Sequence, residues 1–305
     1  MRILFITATR IGDAVLSTGV LDALVRRHPG ARLTVACGPA AAGVFARLPG
    51  LERLIVIDKR RFDLHWLDLW ARTVTTVWDM VVDLRGSGLS FFLPARQRWV
   101  MRGGRRPGLR LGHIARAVGL ETPALPVVWT APSDRARATG LLPDGLVIGL
   151  GPTANWAGKI WPGERFVALV QALRETRLIG ARVAVFGGPG AEEQRLAAPV
   201  LAALPGAVDL VGRLTLPEVA ACLARCELFI GNDSGLMHLS AAAGAPTLGL
   251  FGPSAAAEYA PVGAHTAIAI APGPVGRAPM AGLSVGDVLR VANDLLDRVS
   301  QVRAA

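Results

Sequence analysis

Three stretches of the chain combine residue types that group-transfer chemistry needs. The first is Thr7-Ala8-Thr9-Arg10-Ile11-Gly12-Asp13-Ala14-Val15-Leu16, directly after a short apolar run. Asp13 suits two roles there, a helix N-cap or a general base toward a substrate hydroxyl, with Arg10 and Gly12 shaping the loop. The second is Gly149-Leu150-Gly151-Pro152-Thr153-Ala154-Asn155-Trp156-Ala157-Gly158-Lys159-Ile160-Trp161-Pro162, in which Lys159 is one of only two lysines in the chain. An ammonium there can meet charge building on a departing phosphate while Thr153 hydrogen-bonds it, and an ordinary exposed loop lysine fits equally well. The third runs Phe229-Ile230-Gly231-Asn232-Asp233-Ser234-Gly235-Leu236-Met237-His238 and reads as strand, tight turn and helix, with Asp233 or Ser234 at the N-cap. A helix start offers unpaired N–H groups and partial positive charge, so it can hold a diphosphate without a metal. His238 then falls one turn inside, on the face of Ser234 and Gly235; a capped helix with a core histidine explains the same residues.

Other catalytic patterns fail on inspection. Gly282-Leu283-Ser284-Val285-Gly286 has the spacing of a nucleophile elbow, but no histidine follows it to complete the usual order. Gly158-Lys159 lacks both the earlier glycine and the following hydroxyl of a phosphate-binding Walker loop. Neither half of the chain opens with Gly-x-Gly-x-x-Gly after its first strand, which weakens a dinucleotide-dependent dehydrogenase. Cys222 and Cys226 lie one helical turn apart without nearby ligands and read as core thiols. No metal site and no resident cofactor are expected.

These loops need a scaffold, and the 305 residues provide about two domains' worth of chain. Short β-branched runs alternate with amphipathic helical stretches, which predicts an α/β fold of two Rossmann-like domains facing across a cleft. Strands are expected at 3–7, 33–36, 54–57, 80–84 and 99–102, then at 146–150, 182–186, 208–211, 228–230, 247–251 and 266–270. The Pro-rich, aperiodic stretch 121–145 reads as the linker, so the domains are set at 1–145 and 146–305, with a final helix near 285–299 packing back on the first. In such sheets ligands sit beyond the carboxyl ends of the strands, which is where all three loops fall.

Three widely spaced cysteines give no disulfide framework and fit a reducing compartment, so the cytoplasm is expected. The apolar run before Arg10 is too short for a signal-peptide core. The uncharged stretch 234–257 contains Pro246, Pro253 and several glycines, and reads as buried helix, turn and strand rather than a membrane span. Charge is uneven: residues 1–145 hold 21 Lys and Arg against 11 Asp and Glu, whereas 146–305 hold 12 of each. Within 84–120 stand Arg85, Arg96, Arg98, Arg102, Arg105, Arg106, Arg110 and Arg116 with no acid before Glu121. A solvated basic face is one reading, and an anionic partner such as nucleic acid, an acidic glycan or a membrane surface is the other.

Taken together, the segments resemble glycosyltransferase family 9, the ADP-heptose:lipopolysaccharide heptosyltransferases. The resemblance rests on the opening Arg10–Leu16 segment, Lys159-Ile160-Trp161-Pro162-Gly163-Glu164-Arg165-Phe166, Val211-Gly212-Arg213-Leu214-Thr215-Leu216-Pro217-Glu218, the 231–238 signature and Leu250-Phe251-Gly252-Pro253. It implies the two-domain GT-B fold, with a nucleotide-sugar donor held by the second domain and the acceptor by the first. It further implies Asp13 as catalytic base, Lys159 as the group opposite the leaving phosphate, and Thr153, Asp233, Ser234, Gly235 and His238 as donor contacts. Glu192, preferred over Glu193, matches a ribose-binding acid, and Leu214 a position near the base. Arg10, Gly12, Arg85, Arg96 and Arg98 would meet an anionic glycolipid acceptor, with the inner membrane leaflet close by and no nucleic acid expected. The reaction implied is inverting and metal-independent transfer of a heptose from ADP. Two rivals stand beside it: a GT-B transferase or epimerase using UDP or GDP sugars, and a nonenzymatic nucleotide- or RNA-binding protein, which leaves Asp13 unexplained.

Overall fold

The computed structural model describes residues 1–101, 108–142 and 144–304, and these form two compact units, Met1–Trp129 and Thr130–Ala305. In the first, β1 (Arg2–Ile6), α1 (Ile11–Arg27), β2 (Arg32–Cys37), β3 (Leu51–Val56), α2 (His65–Thr73), β4 (Trp78–Asp83), β5 (Ala95–Val100) and α3 (Arg110–Ala117) follow one another. Its sheet is wholly parallel in the order β3-β2-β1-β4-β5. Residues 3–6 of β1 are fully buried, as a central strand covered on both faces must be. Leu4, Ile6, Ile55, Leu69, Trp78 and Val81 form the core under α2.

The second unit contains α4 (Pro132–Leu141), β6 (Val147–Gly151), α5 (Gly163–Thr176), β7 (Arg182–Val185), α6 (Ala191–Ala203), β8 (Val208–Asp209), α7 (Leu216–Leu223), β9 (Leu228–Asn232), α8 (Gly235–Ala242), β10 (Thr247–Phe251), α9 (Ala256–Tyr259), β11 (Thr266–Ile270) and α10 (Val285–Ala304). Its parallel sheet has the order β11-β10-β9-β6-β7-β8. Each unit is therefore doubly wound, and the strand order reverses at the β1/β4 boundary in one and at β6/β9 in the other. Loops leaving the two strands on either side of such a reversal diverge to opposite faces and leave a crevice between them.

All eleven expected strands are present, most within two residues of the expected ends. β3 starts three residues early, at Leu51, and the largest departure is β5, expected at 99–102 and found at Ala95–Val100: its Arg96-Gln97-Arg98 stretch is an exposed edge that hides strand character from a hydropathy reading, and Arg102 lies outside the described residues. The 121–145 stretch is not a plain linker. It contains α4, opened by Pro132 in its first turn and by an Asp134 carboxylate that accepts the Ala131 N–H at 2.7 Å, and α4 packs on α7. The unit boundary accordingly falls at 129/130 and not at 145/146.

Before that boundary the chain lies against α1. Gly19 permits this, because a Cβ there would stand 2.4 Å from the Ala124 carbonyl oxygen, and Thr18 Oγ1 accepts the Val127 N–H at 2.9 Å. The last helix has a place in its own unit. Val288, Ala292, Leu295, Leu296 and Val299 of α10 sit in the second unit's own core. Ser284 proves to be the cap of this helix, accepting the Asp287 N–H at 3.1 Å, which accounts for the elbow-like spacing around it. Cys37, Cys222 and Cys226 are buried, and burial pushes the first two thiols up to about 12 and about 11. No helix among the described residues is long and apolar enough to cross a membrane.

Candidate donor site and acceptor loops

In the second unit the reversal point brings together two of the three chemistry-bearing segments. The loop after β6 returns through a single 3-10 turn at Ala157–Lys159, and the Lys159 ammonium donates to Asp233 Oδ2 at 2.6 Å. The pair is sheltered: the lysine side chain is 24% exposed and the aspartate 7%. Asp233 ends the β9 loop, and Ser234 is the N-cap of α8 in extended conformation. The Ser234 hydroxyl makes no cap bond to the helix, and its oxygen is buried without a hydrogen-bond partner among the described residues. The α8 N-terminus thus presents first-turn amides, a spare hydroxyl and an adjacent ammonium at one strand end, a combination that suits a diphosphate. Thr153 is buried in the same loop as Lys159, and Gly235 and the buried His238 lie in the first turn of α8.

What fixes this arrangement is a residue that sequence reading passed over. Asn232 is fully buried; its Oδ1 accepts the Trp161 N–H at 3.1 Å and its Nδ2 donates to the Pro152 carbonyl at 2.9 Å. One side chain therefore ties both ends of the Lys159 loop to the β9 terminus. Trp161 in turn donates from Nε1 to the Leu283 carbonyl at 2.9 Å, which also accepts from Arg165 at 2.5 Å, and its ring packs edge-on against Phe166. The only signal for Asn232 was its place between Gly231 and Asp233, since an amide buried at a strand end has no periodic signature.

The loops after β7 and β8 lie beside each other, with the Gly212 N–H donating to the Gly187 carbonyl at 3.1 Å. Leu214 is half-buried on the second of them. Both candidate acids stand on the first turn of α6, with different partners. Glu192 is exposed and engaged by Arg195, whose hydrogen bonds and charge hold its carboxyl below the usual range. Glu193 turns inward, and its Oε2 accepts the Gly188 N–H at 2.9 Å. Among the described residues no group of three or more His, Cys, Asp or Glu is placed to hold a metal ion.

In the first unit the loops after β1 and β4 flank the other reversal point. Asp13 is half-buried in the first turn of α1, and the N-cap position belongs to Arg10, so capping does not account for the aspartate. None of the described residues hydrogen-bonds or ion-pairs with its carboxylate. The neighbouring loop is built on Asp83, which is fully buried and accepts the N–H groups of Arg85, Gly86 and Ser87 and the Ser87 hydroxyl at 2.8–3.0 Å. That cradle aims Arg85 over the Trp66 ring, 5.4 Å from its centroid. Arg10 is exposed and Gly12 half-buried at the same strand ends.

Arg96 and Arg98 are drawn away from these loops. Arg96 stands at the opposite end of the sheet, paired at 3.4 Å with Asp79, whose carboxyl is held below the usual range by the Arg2 N–H and by Arg96. Arg98 is consumed locally, donating to the carbonyls of Ser90, Leu93 and Ala95. Of the remaining cluster, Arg102, Arg105 and Arg106 lie outside the described residues.

Two Rossmann-like units, the second bearing a cationic, amide-lined strand end, are the make-up of GT-B type glycosyltransferases. Comparison narrows the class. The family model of glycosyltransferase family 9 (heptosyltransferase) matches residues 110–274, more than half the chain. The lipooligosaccharide heptosyltransferase 2 of Haemophilus influenzae is 26% identical over 302 residues, covering 86% of each protein. Among solved structures, a family 9 glycosyl transferase from Veillonella parvula superposes with a TM-score of 0.83 at 22% identity, covering 97% of both chains. The E. coli ADP-heptose lps heptosyltransferase II does so at 0.78 and 21%, covering 98% of this chain and all of the other. The chain belongs to glycosyltransferase family 9, and it is an enzyme of heptosyl transfer.

Proposed function

We propose that the protein transfers a heptose from ADP-heptose to a lipopolysaccharide-core-type glycolipid, with inversion and without a bound cation. The observation that carries this reading is the Lys159–Asp233 pair beside the free-hydroxyl N-terminus of α8. In the reaction Asp13 takes the proton of an acceptor hydroxyl as that oxygen attacks the anomeric carbon. The bond from this carbon to the β-phosphate oxygen breaks, and its electron pair leaves with ADP. Lys159, the α8 amides, Ser234 and Thr153 stabilise the charge that builds on that oxygen, a fixed-charge role that a divalent ion fills elsewhere. His238 and Asp233 hold this wall in place. Leu214 borders the base, and the inward turn of Glu193 favours it over Glu192 for the ribose hydroxyls. The Asp83 cradle supports assigning Arg85, with Arg10 and Gly12, to an anionic acceptor.

Calorimetric titration with ADP, UDP and GDP, followed by turnover of the matching sugar donors, tests the reading. ADP is expected to bind at least about 10-fold more tightly than the other two, a difference of about 1.4 kcal/mol. Turnover is expected to survive a chelator. Preference for UDP or GDP would point to the rival sugar-nucleotide enzymes, and loss of turnover on chelation would remove the fixed-charge mechanism.

A further inference from the structure

Asp13 is half-buried and its carboxylate is held by no partner among the described residues, so its position depends on the turn of α1 that carries it. Arg10, the N-cap residue of that helix, makes no side-chain bond to it either. Two buried hydroxyls connect the turn to the sheet instead. Thr7 directly follows β1, and Ser17 stands in α1 about one turn beyond Asp13. Thr7 Oγ1 donates to Ser17 Oγ at 2.9 Å, and the Ser17 hydroxyl donates onward to the Ala14 carbonyl at 2.7 Å. A relay of two hydrogen bonds thus joins the end of the central strand to the residue after Asp13.

The strand end that starts this relay is itself clamped to β2. The Thr7 N–H donates to the Ala36 carbonyl at 2.9 Å and the Gly38 N–H to the Ala8 carbonyl at 3.2 Å, so residues 7 and 8 continue the pairing beyond β1. Gly38 allows the approach, because a Cβ there would stand 2.6 Å from the Thr9 Cα. Neither hydroxyl is needed to fill space: alanine at 17 is a better helix former than serine, and valine at 7 has the branched shape of threonine. What the hydroxyls add is direction, since a buried hydrogen bond fixes distance and angle where apolar contact allows sliding. A general base needs that precision, because a displacement of about 1 Å at a reacting group can cost about 100-fold in rate.

We infer that Thr7 and Ser17 are positioning residues for the proton-accepting carboxylate: their relay fixes the first turn of α1 against the end of β1 and so sets where Asp13 stands. Both side chains are buried, so they act through Asp13 and not on the substrate. The inference rests on the assignment of Asp13 as base, and the two can fail separately. An Asp13→Asn variant with wild-type turnover defeats that assignment and this inference with it. An inactive Asp13→Asn beside fully active Thr7→Val and Ser17→Ala defeats this inference alone.

The test is a kinetic cycle on the full chain, with ADP-heptose as donor and a lipopolysaccharide-core glycolipid as acceptor. Thr7→Val and Ser17→Ala each interrupt the relay, and each is expected to lower kcat about 10-fold or more while donor KM and ADP affinity stay within a factor of about two of wild type. Thr7→Ser keeps the hydroxyl and should retain at least about half of the wild-type kcat. The double variant should lose no more than about twofold beyond the worse single one, as members of one relay do. In an Asp13→Asn background, Thr7→Val should change the residual rate by less than about twofold, because no base is left to place. Ser17→Ala, which favours the helix, serves in the same cycle if Thr7→Val does not fold. Wild-type kcat in both single variants overturns the inference. So does an equal loss from Thr7→Val with and without Asp13, which marks a general structural role, or a Thr7→Ser variant as slow as Thr7→Val.

Discussion

Lys159 and Asp233 form an ion pair whose two members have opposite relations to a diphosphate. The lysine attracts it, and the 7%-exposed carboxylate would repel it if left uncovered. Lys159→Gln is therefore expected to weaken ADP binding by more than one charged hydrogen bond, about 10-fold or beyond, and adding Asp233→Asn should restore part of the loss. A double-mutant cycle read by calorimetry checks this; strictly additive effects would show that the two residues act apart. The sequence exposed Lys159 through lysine scarcity and Asp233 through the turn-helix pattern. It did not expose Asn232 or Asp83, because a buried polar residue declares itself only through partners that are distant in the chain, and both partner sets needed the fold. Glu192 and Glu193 differ by one position, or 100° around α6, a distinction that spacing alone could not make.

At the scale of elements, the hydropathy pattern located the central strands because each is buried on both faces and reads as a continuous apolar run. It lost accuracy at the edges, where β5 carries two arginines, and in 121–145, where α4 is a helix with weak periodicity packed on α7. The two loops at the β6/β9 reversal frame the candidate donor site, and Asn232 joins them. Asn232→Leu removes the acceptor of the Trp161 N–H and the donor to the Pro152 carbonyl, orphaning two buried groups at about 1–3 kcal/mol each. The expected result is a melting temperature lower by several degrees, together with weaker ADP binding as Lys159 loses its place. Unchanged melting and affinity would show that the loops are positioned by other contacts.

At the scale of the whole molecule, Lys159, Thr153, Asp233, Ser234, Gly235 and His238 all belong to the second unit, which has its own sheet and core. A fragment comprising 130–305 is accordingly expected to fold and to bind ADP within about 10-fold of the full chain, while transferring no sugar. A fragment starting at 146 lacks α4, uncovers the face of α7 on which it packs, and should melt lower or aggregate. Thermal unfolding and ADP titration of the two fragments check this; equal behaviour would mean that α4 is dispensable. The charge asymmetry read from the sequence divides along the same line, with the basic excess in the half that carries Asp13 and the Asp83 loop.

The proposed reaction divides its work between the Asp13 carboxylate of the first unit and the α8 N-terminus of the second. Asp13→Asn tests it most directly, with ADP affinity and turnover measured on the same preparation. The predicted result is turnover reduced about 100- to 10,000-fold with ADP affinity within a factor of about two of wild type. Retained turnover, or a parallel loss of ADP binding, would contradict it.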